Sequence, residues 1–444
     1  MNTIQENIFA AYNRNRWTIS ALFIIPISIM IYNAFALPTY LMYDAHAHIE
    51  GIKRLNSIGI FYWIFPKNVL ELKYGVAGYS PLYYLIGGIF LKFSNFSDSE
   101  LVLYLRLINI IFFLFFSFTL LHFLFLLTEK NIINDIAFIL SMSLIPNLYI
   151  FIAQIRPEIL FLPLLSLFLL MLYARNTFFT IILVSIIAIF ISLTKHNGIA
   201  LLPIILAAIA IKMYCSNFST KRICIFILII VSISSSLYFL RFVQLNMNLF
   251  PINEYAIKYI EREKYLVRTA LFTNIEFDKL IATPNRHVQF SNGNNSFFPR
   301  LYGDMWGDHW LYFSGEKIGE DTKTFFKRIV FIAGSFFTLI WLVANIWGAL
   351  GCAAYLIRQK LPKFVDIGAA LSLAALAFLI FVSVLIFPEP GKNAIVKFVY
   401  IMPMALLAVP KMQELVKKFV PSKYYLMYLS LVFVLCLPLY IYTK

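Results

Sequence analysis

"SPLYYLIGGIFLKF", residues 80–93, decides how often the chain crosses a membrane and on which side every later turn falls. Its apolar part is about thirteen residues, about 20 Å of helix, against a hydrocarbon core of roughly 30 Å. It opens with Ser80-Pro81 and contains Gly87-Gly88. The run therefore predicts a short interfacial or re-entrant helix and not a span.

The chain around it has 444 residues, 61% hydrophobic and 13% charged. Soluble domains carry about 45–50% apolar and 25% charged residues. An all-α polytopic membrane protein is expected, because lipid offers no partner to open backbone groups. The net charge of +15 does not point to nucleic acid, since Lys and Arg sit in short turns between apolar runs. The four cysteines, Cys215, Cys224, Cys352 and Cys436, have no metal spacing and predict no disulfide framework. The polar N-terminus lacks the features of a cleaved leader, so the first span is expected to serve as a signal anchor.

Apolar runs lie near 17–38, 101–127, 131–152, 158–174, 178–194, 198–214, 222–243, 326–350, 364–387, 395–410 and 423–442. With residues 80–93 left out and the N-terminus cytoplasmic, the basic turns "TEKN", "ARN", "KMYCSNFSTKR", "RQKLPK" and "PKMQELVKKFVPSK" all face the cytoplasm. If 80–93 spanned, all of them would flip. The expectation is eleven spans in one transmembrane domain, 1–444, with the C-terminus outside. Two large outer segments follow, 39–100 and 244–325.

Polar residues concentrate at the outer turns. "LMYDAHAHIEG", 41–51, sets Asp44 and His48 on one helix side and His46 with Glu50 beside them. Asp44 is a candidate general base. Asp44 with His48 leaves a divalent cation open as a cofactor, although two side chains are not a full ligand set. Lys73 precedes an aromatic cluster that includes Tyr83 and Tyr84. Arg156 and Glu158 flank Pro157 at an outer turn, and Lys195 with His196 occupies another, closed by Gly198. Lys392, Lys397 and Tyr400 form a third basic cluster. Arginine suits phosphate because its planar fork binds two oxygens. "RLYGDMWGDHWLYFSGE", 300–316, interleaves Asp304, Asp308 and His309 with Trp306 and other aromatics, a composition suited to stacking on sugars. Solvated helix ends and interfacial aromatics would account for many of the same residues.

In order along the chain, "YDAHAHIEGIKRLNSIG", "SPLYYLIGGIFLKF", "RPE", "TKHNG", "MWGDHW" and "KFVYIMP" resemble the GT-C class of membrane glycosyltransferases. The chain is most similar there to protein O-mannosyltransferases and lipid A aminoarabinose transferases. Ala45 stands where many members carry a second acidic residue. The resemblance implies a polyprenyl-phosphate-linked sugar donor and a glycolipid, polysaccharide or protein acceptor. It implies Asp44 as base, and Arg156, Lys195 and Lys73 as cations for the departing phosphate. It places the protein in a bacterial inner membrane with the site facing the periplasm or outside. The competing class is a transporter or flippase of a lipid-linked or anionic solute, whose working charges belong near the bilayer midplane.

Overall fold

The structure, a computed structural model, describes residues 22–39, 43–64, 81–93, 96–127, 132–244, 297–306, 320–382 and 398–441. Lys73, Asp308, His309, Lys392 and Lys397 lie outside the described residues, and Asp44 is described by its backbone alone. Among the described residues every regular element is helical.

The order begins with α1 (Leu22–Ala36). It continues with α2 (Tyr43–Ile64), α3 (Leu82–Phe93), α4 (Asp98–Leu127), α5 (Ile132–Ser143) and α6 (Pro146–Ala153). A 3₁₀ turn (Pro157–Leu160) leads into α7 (Phe161–Tyr173), α8 (Phe178–Thr194), α9 (His196–Cys215) and α10 (Thr220–Gln244). Then come α11 (Phe297–Trp306), α12 (Glu320–Ile357), α13 (Phe364–Phe381) and a 3₁₀ turn (Phe398–Tyr400). The last helices are α14 (Met402–Leu407), α15 (Val409–Phe419) and α16 (Ser422–Tyr440).

Six described helices are long and apolar enough to cross a membrane, and seven if α5 and α6 count as one bent span. Eleven was the expectation. The remaining expected runs take other forms among the described residues. Pro157–Tyr173 and Phe178–Thr194 are apolar and slightly shorter than these six, and the described part of the first run begins at Leu22. Residues 395–410 do not make one helix. From Phe398 onward they form a 3₁₀ turn, then α14, then α15. Pro403 and Pro410 sit in the first turns of α14 and α15. A proline there needs no N–H partner, and it blocks continuation of the helix before it. The run at 80–93 holds α3, a helix of 12 residues. α2 kinks at Gly59, whose φ of 76° favours glycine.

Local signals set the ends. Ser97 and Glu100 form a capping box at the start of α4: Ser97 N–H and Oγ both donate to Glu100 Oε2, at 2.8 and 2.7 Å. Thr177 and Thr180 do the same for α8.

At one helix bend and at several helix ends, side chains take up the loose carbonyls. α5 and α6 meet at 63°. The carbonyls of Ser143 and Leu144 at this break accept from Tyr149 OH at 3.0 Å and Tyr440 OH at 2.6 Å. The two rings stack with centroids 4.4 Å apart. Arg106 of α4 is buried and donates to the carbonyls of Ala34, Leu37, Pro38 and Ala153 at 3.0, 2.9, 2.5 and 2.9 Å. It ties the ends of α1 and α6 to α4. Asn109, one turn on, donates to the carbonyls of Ile152 and Gln154.

Helices α7, α8 and α9 alternate in direction. The turns at 154–156, 195 and 398–400 meet at one end of the bundle, as their mutual contacts show. The turns at 174–177, 216–219 and 358–363 meet at the other. There Lys212 donates to the carbonyls of Leu172 and Ala174 and to Asn176 Oδ1, closing the end of α7. That second end carries Arg175, Lys221, Arg222, Arg358, Lys360 and Lys363, the basic-turn pattern of the sequence.

Arg106 is expected to be a keystone of this arrangement. Arg106→Gln should lower the thermal midpoint in nanodiscs by the equivalent of at least about 2 kcal/mol, because carbonyls of two helix ends lose a charged donor. Arg106→Lys should not rescue it, since a single ammonium cannot copy the fork. A Lys variant melting like the wild type would show the clamp to be dispensable.

Candidate functional site

The site is built on a joint of one residue. α8 ends at Thr194 and α9 begins at His196, with Lys195 extended between them (φ −163°, ψ 167°). The reversal is closed by Gly198, whose N–H donates to Lys195 O at 2.8 Å. A Cβ at Gly198 would stand 2.0 Å from the carbonyl oxygen of Ile191, so only glycine lets the two helices come this close. Lys195 is thereby aimed at the neighbouring turn of the bundle.

That turn holds "QIRPE", 154–158. Pro157 starts a 3₁₀ turn and leaves Arg156 in extended conformation ahead of it. Glu158 is fully buried and lies between two cations. Lys195 Nζ donates to its Oε1 at 2.5 Å, and Arg156 Nε donates to its Oε2 at 3.3 Å. Arg156 Nη1 also donates to Gln154 Oε1 at 2.7 Å. Charges this dry are expensive unless paired. The three side chains together carry one net positive charge, two cations against one carboxylate.

An aromatic ring faces both cations. Tyr400 lies 5.2 Å from the Arg156 guanidinium carbon and 4.7 Å from Lys195 Nζ. Cations over an aromatic face gain about 0.5–2 kcal/mol, more when dry. Asp304 of α11 helps hold the turn that carries Tyr400. Its Oδ2 accepts the Phe398 N–H at 2.5 Å, and its carbonyl accepts from Asn147 Nδ2 at 2.6 Å. Asn197 Nδ2 donates to Tyr400 O at 2.7 Å.

α3 brings two buried tyrosines to the same place. Tyr83 OH accepts the Arg156 backbone N–H at 3.1 Å. Tyr84 OH lies 2.9 Å from His48 Nδ1 on α2, and the two rings stack at 5.9 Å. Tyr83 and Tyr84 meet edge to face at 5.7 Å. α2 is steadied from outside by Lys53, which pairs with Glu50 at 3.0 Å and Asp98 at 2.8 Å. The hydrogen bonds to Asp98 and then Glu50 hold its ammonium above the ordinary lysine range. Asp44 lies one turn before His48 on this helix.

The structure thus brings His48, Tyr83, Tyr84, Arg156, Glu158, Lys195, Tyr400 and Asp304 into one connected cluster. Trp306 and His196 make packing contacts of their own beside it. Trp306 is fully buried, donates to Thr338 Oγ1 at 2.8 Å, and fills the space beside Gly334. It fastens α11 to α12 and does not present a face for a sugar. His196 packs against Tyr238 of α10, with centroids 5.2 Å apart. Sequence reasoning passed over Gln154 and Asn197. Their signal was a lone amide beside a charged residue at the rim of an apolar run. Among the described residues no group of three His, Cys, Asp or Glu could hold a metal ion.

No protein-family model, curated protein or solved structure matches the chain, so its own geometry carries the functional argument.

Glu158 is expected to behave as a shared counter-ion. Glu158→Gln should cost about 3 kcal/mol, because it leaves two dry cations without their carboxylate. Adding Lys195→Met should cost less than the two single losses summed. Strictly additive midpoints in a double-mutant cycle would show that the pair is not coupled.

Proposed function

We propose that the protein is an integral-membrane glycosyltransferase of GT-C type. It moves a sugar from a polyprenyl-phosphate donor to an acceptor hydroxyl, with inversion at the anomeric carbon. The observation that carries this is the convergence, at one end of the bundle, of Arg156, Lys195, Glu158 and Tyr400 with the His48–Tyr84 pair, one helical turn from Asp44. These groups come from elements far apart in sequence.

The chemistry divides between the two parts of the cluster. Asp44 takes the proton of the acceptor hydroxyl as its oxygen attacks the anomeric carbon. The bond from that carbon to the phosphate oxygen breaks, and polyprenyl phosphate leaves with the electron pair. The growing phosphate charge is met by Arg156 and Lys195, whose positions are fixed beforehand by Glu158 and Tyr400. His48 and Tyr84 hold α2 and α3 together, so the base keeps its distance from the cations. The basic turns at the other end favour a cytoplasmic placement for that end. The site would then face the periplasm of a bacterial inner membrane.

Transport is the weaker account. Arg106 and Lys212, charges inside helices of the bundle, are bound to backbone carbonyls and serve the fold.

Purified protein in nanodiscs should transfer radiolabelled sugar from a polyprenyl phosphate to a cell-envelope acceptor, or hydrolyse the donor slowly without one. Asp44→Asn should reduce transfer by about 10²–10⁴-fold, the usual worth of a positioned base. Absence of Asp44-dependent transfer and hydrolysis across a panel of donors would rule out the enzyme.

A further inference from the structure

Gln154 is fixed on every side but one. Its N–H donates to Phe151 O at 3.2 Å, and its carbonyl accepts from Asn109 Nδ2 at 2.9 Å. Its side-chain Oε1 accepts from Arg156 Nη1 at 2.7 Å. A guanidinium has donors and no acceptor, so the amide must turn its oxygen toward Arg156. The opposite orientation would set N–H against N–H. The Nε2 group is therefore the end of the amide not bonded to Arg156, and it is buried without a hydrogen-bond partner.

An unmet buried donor costs about 1–3 kcal/mol, and native proteins carry few. Among the described residues, Gln154 Nε2 is the one buried side-chain nitrogen in this condition; the other such atoms are oxygens. Hydroxyls can rotate toward a partner. An amide N–H₂ held by its own oxygen cannot, and only an acceptor can satisfy it.

We infer that Gln154 is a ligand-binding residue whose Nε2 donates to an oxygen of a phosphate held beside Arg156. This deepens the glycosyltransferase proposal and rests on it for the identity of the ligand as polyprenyl phosphate. Phosphate oxygens are strong acceptors, and the adjacent guanidinium draws an anion to this side of the amide. The carboxamide adds a grip without adding charge. A site whose ionic groups are already paired through Glu158 gains specificity for a phosphate in this way, with little added affinity for unrelated anions.

The test is ligand-induced thermal stabilisation in nanodiscs, with a short-chain polyprenyl monophosphate as the probe and inorganic phosphate and the uncharged polyprenol as parallel arms. Two variants remove the donor. Gln154→Glu keeps an acceptor for Arg156, and Gln154→Leu keeps the volume. Wild type should be stabilised by the polyprenyl phosphate, and both variants should bind it at least about tenfold more weakly, as loss of one charge-assisted hydrogen bond predicts. Without ligand, Gln154→Glu should melt no lower than wild type. A Gln154-dependent shift with inorganic phosphate alone also supports the assignment and identifies a water-borne source. If both variants bind the lipid phosphate as tightly as wild type, a buried water satisfies Nε2 and the assignment is overturned, while the enzyme proposal stands. If wild type binds no phosphate at all, both fall together. Gln154-dependent binding in a protein that transfers no sugar keeps this assignment and removes the enzyme.

Discussion

A backbone carbonyl facing lipid has nothing to bond to, and much of this fold answers that constraint. Several helices here stop or bend where their last carbonyls are buried. A stop exposes carbonyls, and at several of these ends they are met by a side chain from another helix. Arg106 does this for two helix ends at once, Tyr149 and Tyr440 for the bend, and Lys212 for the end of α7. These residues look functional by type, since ionisable groups inside membranes are rare. Their partners show them to be structural. The same accounting separates them from Arg156 and Lys195, which meet a carboxylate and an aromatic ring.

The cluster is organised around a sharing of charge. One buried carboxylate positions two cations, and one ring faces both. Asp304 acts on the cluster through the backbone of Phe398, at a distance from the ions themselves. Tyr83 acts through the backbone of Arg156. Groups that hold the main chain of a site in place determine its geometry as firmly as groups that touch its charges.

The class of fold was legible in composition, and residues 80–93 were legible as a short helix from length alone. "RPE" and "TKHNG" pointed to Arg156 and Lys195 because charge at the rim of an apolar run needs a reason. The sequence could not show that Glu158 binds both, because that contact joins residues 37 apart. Composition does not distinguish a tryptophan that stacks on a ligand from one that fills a gap beside a glycine on another helix, as Trp306 does beside Gly334. Hydropathy does not register where proline cuts an apolar run, as at Pro146 and Pro410. Gln154 escaped notice because its meaning lies in an unmet hydrogen, which depends on every neighbour at once.

The single-residue joint at Lys195 has a mechanical corollary. A loop of several residues between two helices acts as slack and absorbs small movements of either. Here there is none. A tilt of α8 against α9 falls directly on the backbone of Lys195. Insertion of even one residue would rotate everything after it by about 100°, since a helix turns once per 3.6 residues. The joint is a direct coupling between the bundle and its ion cluster.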